Sequence, residues 1–169
     1  MADKRFRDKL VTFEQALELR SVARQQGKSV VFSNGCFDLL HVGHVRYLTA
    51  AAAEGDVLFV ALNSDHSVRA LKGANRPLFP ARDRAEIISA LECVDRVIIF
   101  DDSTADRLLE QLRPDIHAKG TDYTVQTVPE RETVQGYGGR IAIVGDPKDR
   151  SSAGLFEQIR QRVGASKSL

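Results

Sequence analysis

Phe32-Ser33-Asn34-Gly35-Cys36-Phe37-Asp38-Leu39-Leu40-His41-Val42-Gly43-His44 is the stretch that decides the fold. It leaves a run of β-branched and aromatic residues, Val30-Val31-Phe32, and ends in what reads as the first turn of a helix. Gly35 lets the backbone turn tightly, and Gly43 removes a side chain where a ligand or a neighbouring group must come close. His41 and His44 are three residues apart, so they share one side of that helical turn. A helix start offers free N–H groups and the positive end of the dipole, which suits a phosphate.

Outward from this stretch, the same alternation repeats. Further apolar runs are Val57-Leu58-Phe59-Val60-Ala61-Leu62, Val97-Ile98-Ile99-Phe100, Ile116-His117-Ala118 and Ile141-Ala142-Ile143-Val144. Helical stretches are expected near 42–54, 81–92, 104–112, 129–137 and 152–163, with Pro80 and Pro129 at positions where helix starts tolerate proline. Strands that alternate with helices and are apolar on both faces describe an α/β fold, Rossmann-like, with a five-stranded parallel sheet and helices on both faces. Ligands of such sheets bind at the carboxyl ends of the strands, where the strand order reverses. The segments at those ends are 33–44, 63–80, 101–103, 119–128 and 145–152. Ahead of the sheet, Thr12-Phe13-Glu14-Gln15 can form a capping box and Gly27 suits a helix exit. Residues 1–27 are therefore expected as a helical extension adorning a single domain that spans 1–169.

Composition narrows the function by exclusion. Lys plus Arg number 24 and Asp plus Glu 23, so no global field favours nucleic acid or an anionic membrane, and any anion site is local. The apolar runs are too short to cross a bilayer and Met1-Ala2-Asp3-Lys4 opens no signal-peptide core, which reads as cytoplasmic. Cys36 and Cys93 are the only cysteines and lack zinc-site spacing. His41 and His44 are no better as metal ligands, because a zinc helix spaces its histidines four apart with a glutamate between. A Cys36–His41 nucleophile pair lacks an orienting third member.

This stretch resembles the HxGH signature of the cytidylyltransferase-like nucleotidyltransferases. Ala61-Leu62-Asn63-Ser64-Asp65, Leu71-Lys72-Gly73, Arg76-Pro77, Arg84, Ala90-Leu91-Glu92, Val94-Asp95, Lys119-Gly120, Asp122-Tyr123 and Gly138-Gly139 are similar, in order, to the heptose 1-phosphate adenylyltransferases of that family, over residues 27–163. These also occur fused behind a sugar kinase, so the chain resembles a stand-alone transferase. The resemblance implies that ATP and D-glycero-β-D-manno-heptose 1-phosphate give ADP-heptose and pyrophosphate, a step toward the lipopolysaccharide inner core. Mg²⁺ would arrive mainly on the ATP phosphates. A glycerol-3-phosphate-type cytidylyltransferase and a non-catalytic nucleotide-sensing module are the alternatives. Relatives often assemble as dimers or larger, which extends the expectation to a homo-oligomer.

The resemblance also assigns residues. His41 and His44 would contact the nucleotide phosphates and stabilise the crowded α-phosphate, with backbone N–H groups near Cys36 and Phe37 and the space left by Gly43 helping to hold phosphate. Asp38 would orient substrate or magnesium, and Asn34 and Asp65 would also contact the acceptor. Lys72 lies in a segment rich in Gly, Asn and Pro, read as a loop able to close over the site, where its ammonium suits phosphates. Arg84 opens a helix where a cation gains nothing from the dipole, so either a substrate anion or an ion pair with Asp83 or Glu86 holds it. Lys119 would contact the nucleotide, and Gly120 and Asp122 after it suit close approach to a base or ribose. Ser151 and Ser152 precede the last helix and can cap it or bind phosphate, although relatives carry Ser-Thr-Thr where this chain has Ser151-Ser152-Ala153.

Overall fold

Side chains alternate across a strand, so a run that is apolar at every position must be covered on both sides. In the computed structural model, which describes residues 6–147 and 152–165, the runs do this in five strands. These are β1 (Val30–Gly35), β2 (Val57–Asn63), β3 (Arg96–Phe100), β4 (Ile116–Gly120) and β5 (Arg140–Val144). Every pairing is parallel and the order is β3-β2-β1-β4-β5. The helices are α1 (Phe13–Gln25), α2 (Val42–Ala52), α3 (Asp65–Lys72), α4 (Ala81–Ser89), α5 (Asp106–Leu112), α6 (Arg131–Gly136) and α7 (Ser152–Ala165).

The alternation sorts the core. Val31, Leu58, Val60 and Leu62 pack with Leu48 and Ala51 of α2 and Ala85 and Ile88 of α4. Val30, Phe32, Phe59, Ala61 and Ile98 point the other way, onto α1, α5 and α6, through Ala16, Ala23, Leu108, Leu109, Leu112 and Val134. Thus α2 begins on one face of the sheet and α6 on the opposite face. Strand order reverses between β1 and β4, so a crevice opens there at the carboxyl ends.

Three features depart from the sequence reading. First, α1 is no adornment: Ala16 and Ala23 are buried, and Arg20 bonds Asp115 Oδ1 at 2.9 Å while Asp115 Oδ2 accepts from the Val30 amide at 2.7 Å. The segment before α1 also lies along the outer edge of β3, with Val11 N donating to Val97 O at 3.0 Å. Second, residues 65–72 form α3, where only a strand-end loop was expected. Ser64 caps it, accepting from the Ser67 amide at 3.1 Å, and Gly73 leaves it at φ 97°. Third, β1, β2 and β4 run on through polar residues, Ser33-Asn34-Gly35, Asn63 and Lys119-Gly120. Those extensions carry side chains of the crevice. The Thr12 capping box and the left-handed exit at Gly27, φ 69°, are both present.

Candidate active site

A cavity of about 890 Å³ occupies the crevice. Its wall includes Asn34, Cys36, Phe37, Asp38, His41, Gly43, His44, Lys72, Lys119, Gly120 and Asp122, which come from three separate stretches of chain.

His41 caps α2 with its own ring. Its Nδ1 accepts from the Gly43 amide at 3.1 Å, and His44 Nδ1 accepts from the His41 amide at 3.3 Å. An accepting Nδ1 carries no hydrogen, so in both neutral rings the proton sits on Nε2. The two rings lie against each other with centroids 4.0 Å apart and planes tilted by 32°, and Phe37 packs against His44 at 5.5 Å. A side chain at position 43 would place a Cβ 2.9 Å from the His41 ring, so glycine there protects the histidine pair. Tyr47, one turn on, fixes the helix to the sheet: its hydroxyl donates to Ala118 O at 2.8 Å and lies 2.7 Å from Ser33 Oγ. Burial pushes the Tyr47 phenol pKa far up, so it stays a neutral donor.

The loop between β1 and α2 is bent through left-handed conformations at Phe37, φ 46°, and Leu39, φ 55°. Each costs a non-glycine residue roughly 1–2 kcal/mol, so neighbours must enforce it. Asp38, between them, does this. Its buried carboxylate accepts from Arg76 Nη1 at 2.8 Å and from the amides of Leu78 at 3.0 Å and Phe79 at 3.4 Å. Asp38, expected to orient substrate or magnesium, lines the cavity, and its oxygens hold the 76–79 segment. Arg84 and Asp65, also expected at the substrate, pair with each other. Arg84 is 1% exposed and gives its guanidinium to Cys36 O at 2.6 Å, Phe79 O at 2.9 Å and Asp65 Oδ1 at 2.7 Å. Neither lines the cavity, and the ion pair joins Arg84 to Asp65 rather than to Asp83 or Glu86. The pair braces α3, α4 and the loop below the histidines.

Burial pushes the Cys36 thiol pKa up, which removes the thiolate a nucleophile would need. Lys72 is exposed in the last turn of α3, not in a loop, and its ammonium has no ion-pair partner among the described residues. Gly120 leaves room for Asp122, whose Oδ1 would stand 2.9 Å from a Cβ at that position. Ser151 lies outside the described residues, and Ser152 opens α7 with its side chain undescribed. Among the described residues no group of three His, Cys, Asp or Glu side chains could hold a metal ion. Of the carboxylates in the cavity wall, Asp38 pairs with Arg76 and Asp146 with Arg46 at 3.0 Å.

At the reversal point itself, Asn34 of β1 meets Lys119 and His117 of β4 and Glu130, which precedes α6. Asn34 Oδ1 lies 3.0 Å from both Lys119 Nζ and His117 Nε2, and Asn34 Nδ2 donates to Glu130 Oε1 at 3.4 Å. Lys119 Nζ also donates to Glu130 Oε1 at 3.2 Å and stands 3.0 Å from Oε2. Lys119, expected as a nucleotide contact, thus spends its buried ammonium on Asn34 and Glu130. Burial, with Lys119 adding repulsion, pushes the His117 imidazole down to about 3. Glu130 and His117 were not singled out from the sequence, and Arg76 entered only through the resemblance, without a role. Glu130 after a proline reads as an ordinary helix-start acid, and His117 as one residue of a strand.

A cytidylyltransferase-like family model matches residues 32–158. The chain belongs to that family of nucleotidyltransferases. It is 48% identical over 149 residues to the bifunctional protein HldE of Syntrophotalea carbinolica, covering 88% of this chain and 30% of that one. It is 53% identical over 137 residues to HldE of Geotalea uraniireducens, covering 81% and 28% respectively. The chain therefore spans about 30% of the length of these curated relatives. Among solved structures, the lipopolysaccharide core biosynthesis protein of Thermoplasma volcanium matches with a TM-score of 0.60 and 29% identity, over 72% of this chain and 100% of that one. Among the described residues no helix is long and apolar enough to cross a membrane.

Proposed function

We propose that the chain is an adenylyltransferase that joins the α-phosphate of ATP to the phosphate of D-glycero-β-D-manno-heptose 1-phosphate, giving ADP-heptose and pyrophosphate for the lipopolysaccharide inner core. The observation that carries this reading is the adjacent His41–His44 ring pair at the start of α2, with both tautomers set by backbone amides inside the cavity. A sugar-phosphate oxygen attacks the α-phosphorus, and the bond to the pyrophosphate oxygen breaks. Little covalent help is needed; positioning and charge stabilisation supply most of the rate.

In this scheme the Nε2–H groups of His41 and His44 donate to the α-phosphate oxygens as charge concentrates there. Lys72 neutralises the departing pyrophosphate from the end of α3. Amides near Cys36 and Phe37 steady the phosphates, while Gly120, Asp122 and Tyr123 receive base and ribose and Ser151 and Ser152 add phosphate contacts. Mg²⁺, bound with the triphosphate, supplies further charge neutralisation. HldE relatives at about half identity and a neighbour titled for lipopolysaccharide core biosynthesis support the heptose acceptor over glycerol 3-phosphate or a sensing role. Residues 1–169 act in this proposal as one domain in the cytoplasm, where two unpaired cysteines such as Cys36 and Cys93 stay reduced. Pyrophosphate release from ATP plus heptose 1-phosphate, against CTP plus glycerol 3-phosphate, tests it. Release with the first pair alone is expected. Release with the second pair alone, or with neither, overturns it.

A further inference from the structure

We propose that Glu130 reads the hydroxyl groups of the acceptor sugar, with Asn34 beside it and Lys119 and His117 as positioning residues. This rests on the adenylyl-transfer reading above and names the half of the cavity that takes the sugar.

Position comes first. His41 opens α2 on one face of the sheet, and Glu130 stands at the start of α6 on the other, yet both line one cavity. The α2 side offers N–H donors and a positive dipole end, which suit the triphosphate. A carboxylate repels phosphate, so the Glu130 side must receive something else. A polyol fits: hydroxyls donate to carboxylate oxygens, and Asn34 adds an amide able to donate and accept.

Energetics point the same way. Glu130 is 3% exposed and Lys119 6%, and burying both charges costs several kcal/mol per ion before their attraction offsets it. An apolar pair of similar volume would hold α6 to β4 at least as well. Moreover, Glu130 Oε1 accepts from Lys119 and Asn34, whereas Oε2, buried and 3.0 Å from the ammonium, accepts no hydrogen bond of good geometry among the described residues. Acceptor capacity is thus held inside the cavity wall. His117 and Lys119 both address Asn34 Oδ1, which forces the amide nitrogen toward Glu130. The carboxylate is therefore held from two sides rather than left to turn.

Steady-state kinetics of Glu130→Gln, which keeps shape and removes charge, tests this. The KM for heptose 1-phosphate is expected to rise about tenfold or more, with the KM for ATP changed less than about twofold. The penalty is also expected to shrink for sugar 1-phosphates lacking the hydroxyl that Glu130 binds. Should the variant fail to fold, Glu130→Asp retains the charge but withdraws it by one methylene, and the same sugar-selective rise is expected. An unchanged sugar KM, or a rise confined to ATP, overturns the assignment while leaving the reaction intact. A wild-type protein that turns over glycerol 3-phosphate and no sugar 1-phosphate overturns the reaction first, and this assignment with it.

Discussion

Replacing Asp38 with alanine separates a brace from a substrate contact. The carboxylate is almost fully buried and accepts from Arg76 Nη1 at 2.8 Å, Leu78 N at 3.0 Å and Phe79 N at 3.4 Å. Each amide that loses its acceptor costs about 1–3 kcal/mol if it stays dry. Arg76 is 18% exposed and can turn toward water, so loss of the ion pair adds only about 1 kcal/mol. Relaxation of Phe37 and Leu39 from left-handed conformations returns roughly 1–2 kcal/mol each, which offsets part of the loss. The net expectation for Asp38→Ala is a destabilisation of about 2 kcal/mol, read from urea unfolding midpoints at unchanged slope. Asp38→Asn keeps one acceptor oxygen and should lose less. A substituted protein within about 0.5 kcal/mol of wild type that nevertheless binds substrate poorly would refute the brace and restore a direct substrate role.

Three further outcomes are expected. His44→Ala lowers turnover by about a hundredfold or more, because a donor aimed at developing charge is lost, while circular dichroism shows the fold retained. Lys72→Ala lowers turnover with little change in nucleotide affinity by calorimetry, since its charge acts on the leaving group; a raised KM at unchanged kcat contradicts that role. Acidification destabilises the fold through His117. Its imidazole, held near 3 in the folded protein against 6.5 unfolded, takes up a proton only on unfolding between those pH values. The contribution is whole above pH 6.5 and falls by about 1.4 kcal/mol per unit below it, so about 2 kcal/mol is gone at pH 5. Removing the imidazole in His117→Phe should flatten the stability profile in that window, and an unchanged slope contradicts the assignment.

Periodicity carried the sheet. Residues such as Leu58-Phe59-Val60-Ala61-Leu62 can only be buried on both faces, and the alternation with helices leaves a parallel order. It did not carry α3, which is eight residues long and buries a single apolar side chain, Val68, too short a segment to stand out from a loop. Its Ser64 cap and Gly73 exit were present but easily read as loop punctuation. The histidine pair was visible because both members lie in one turn. By contrast Arg84 and Asp65 are 19 positions apart, and Asn34 and Glu130 are 96 apart. Such partners are set by strand order, which local spacing does not encode. Side chains read singly from the sequence are therefore found in pairs and clusters that spacing alone does not show.

The fate of the ATP phosphates tests the central claim most directly. With heptose 1-phosphate and ATP labelled at the α-phosphorus, the label is expected in the sugar nucleotide; with ATP labelled at the γ-phosphorus, it is expected in pyrophosphate. A γ-label on the sugar, or an α-label that never leaves ATP, would contradict adenylyl transfer at His41 and His44.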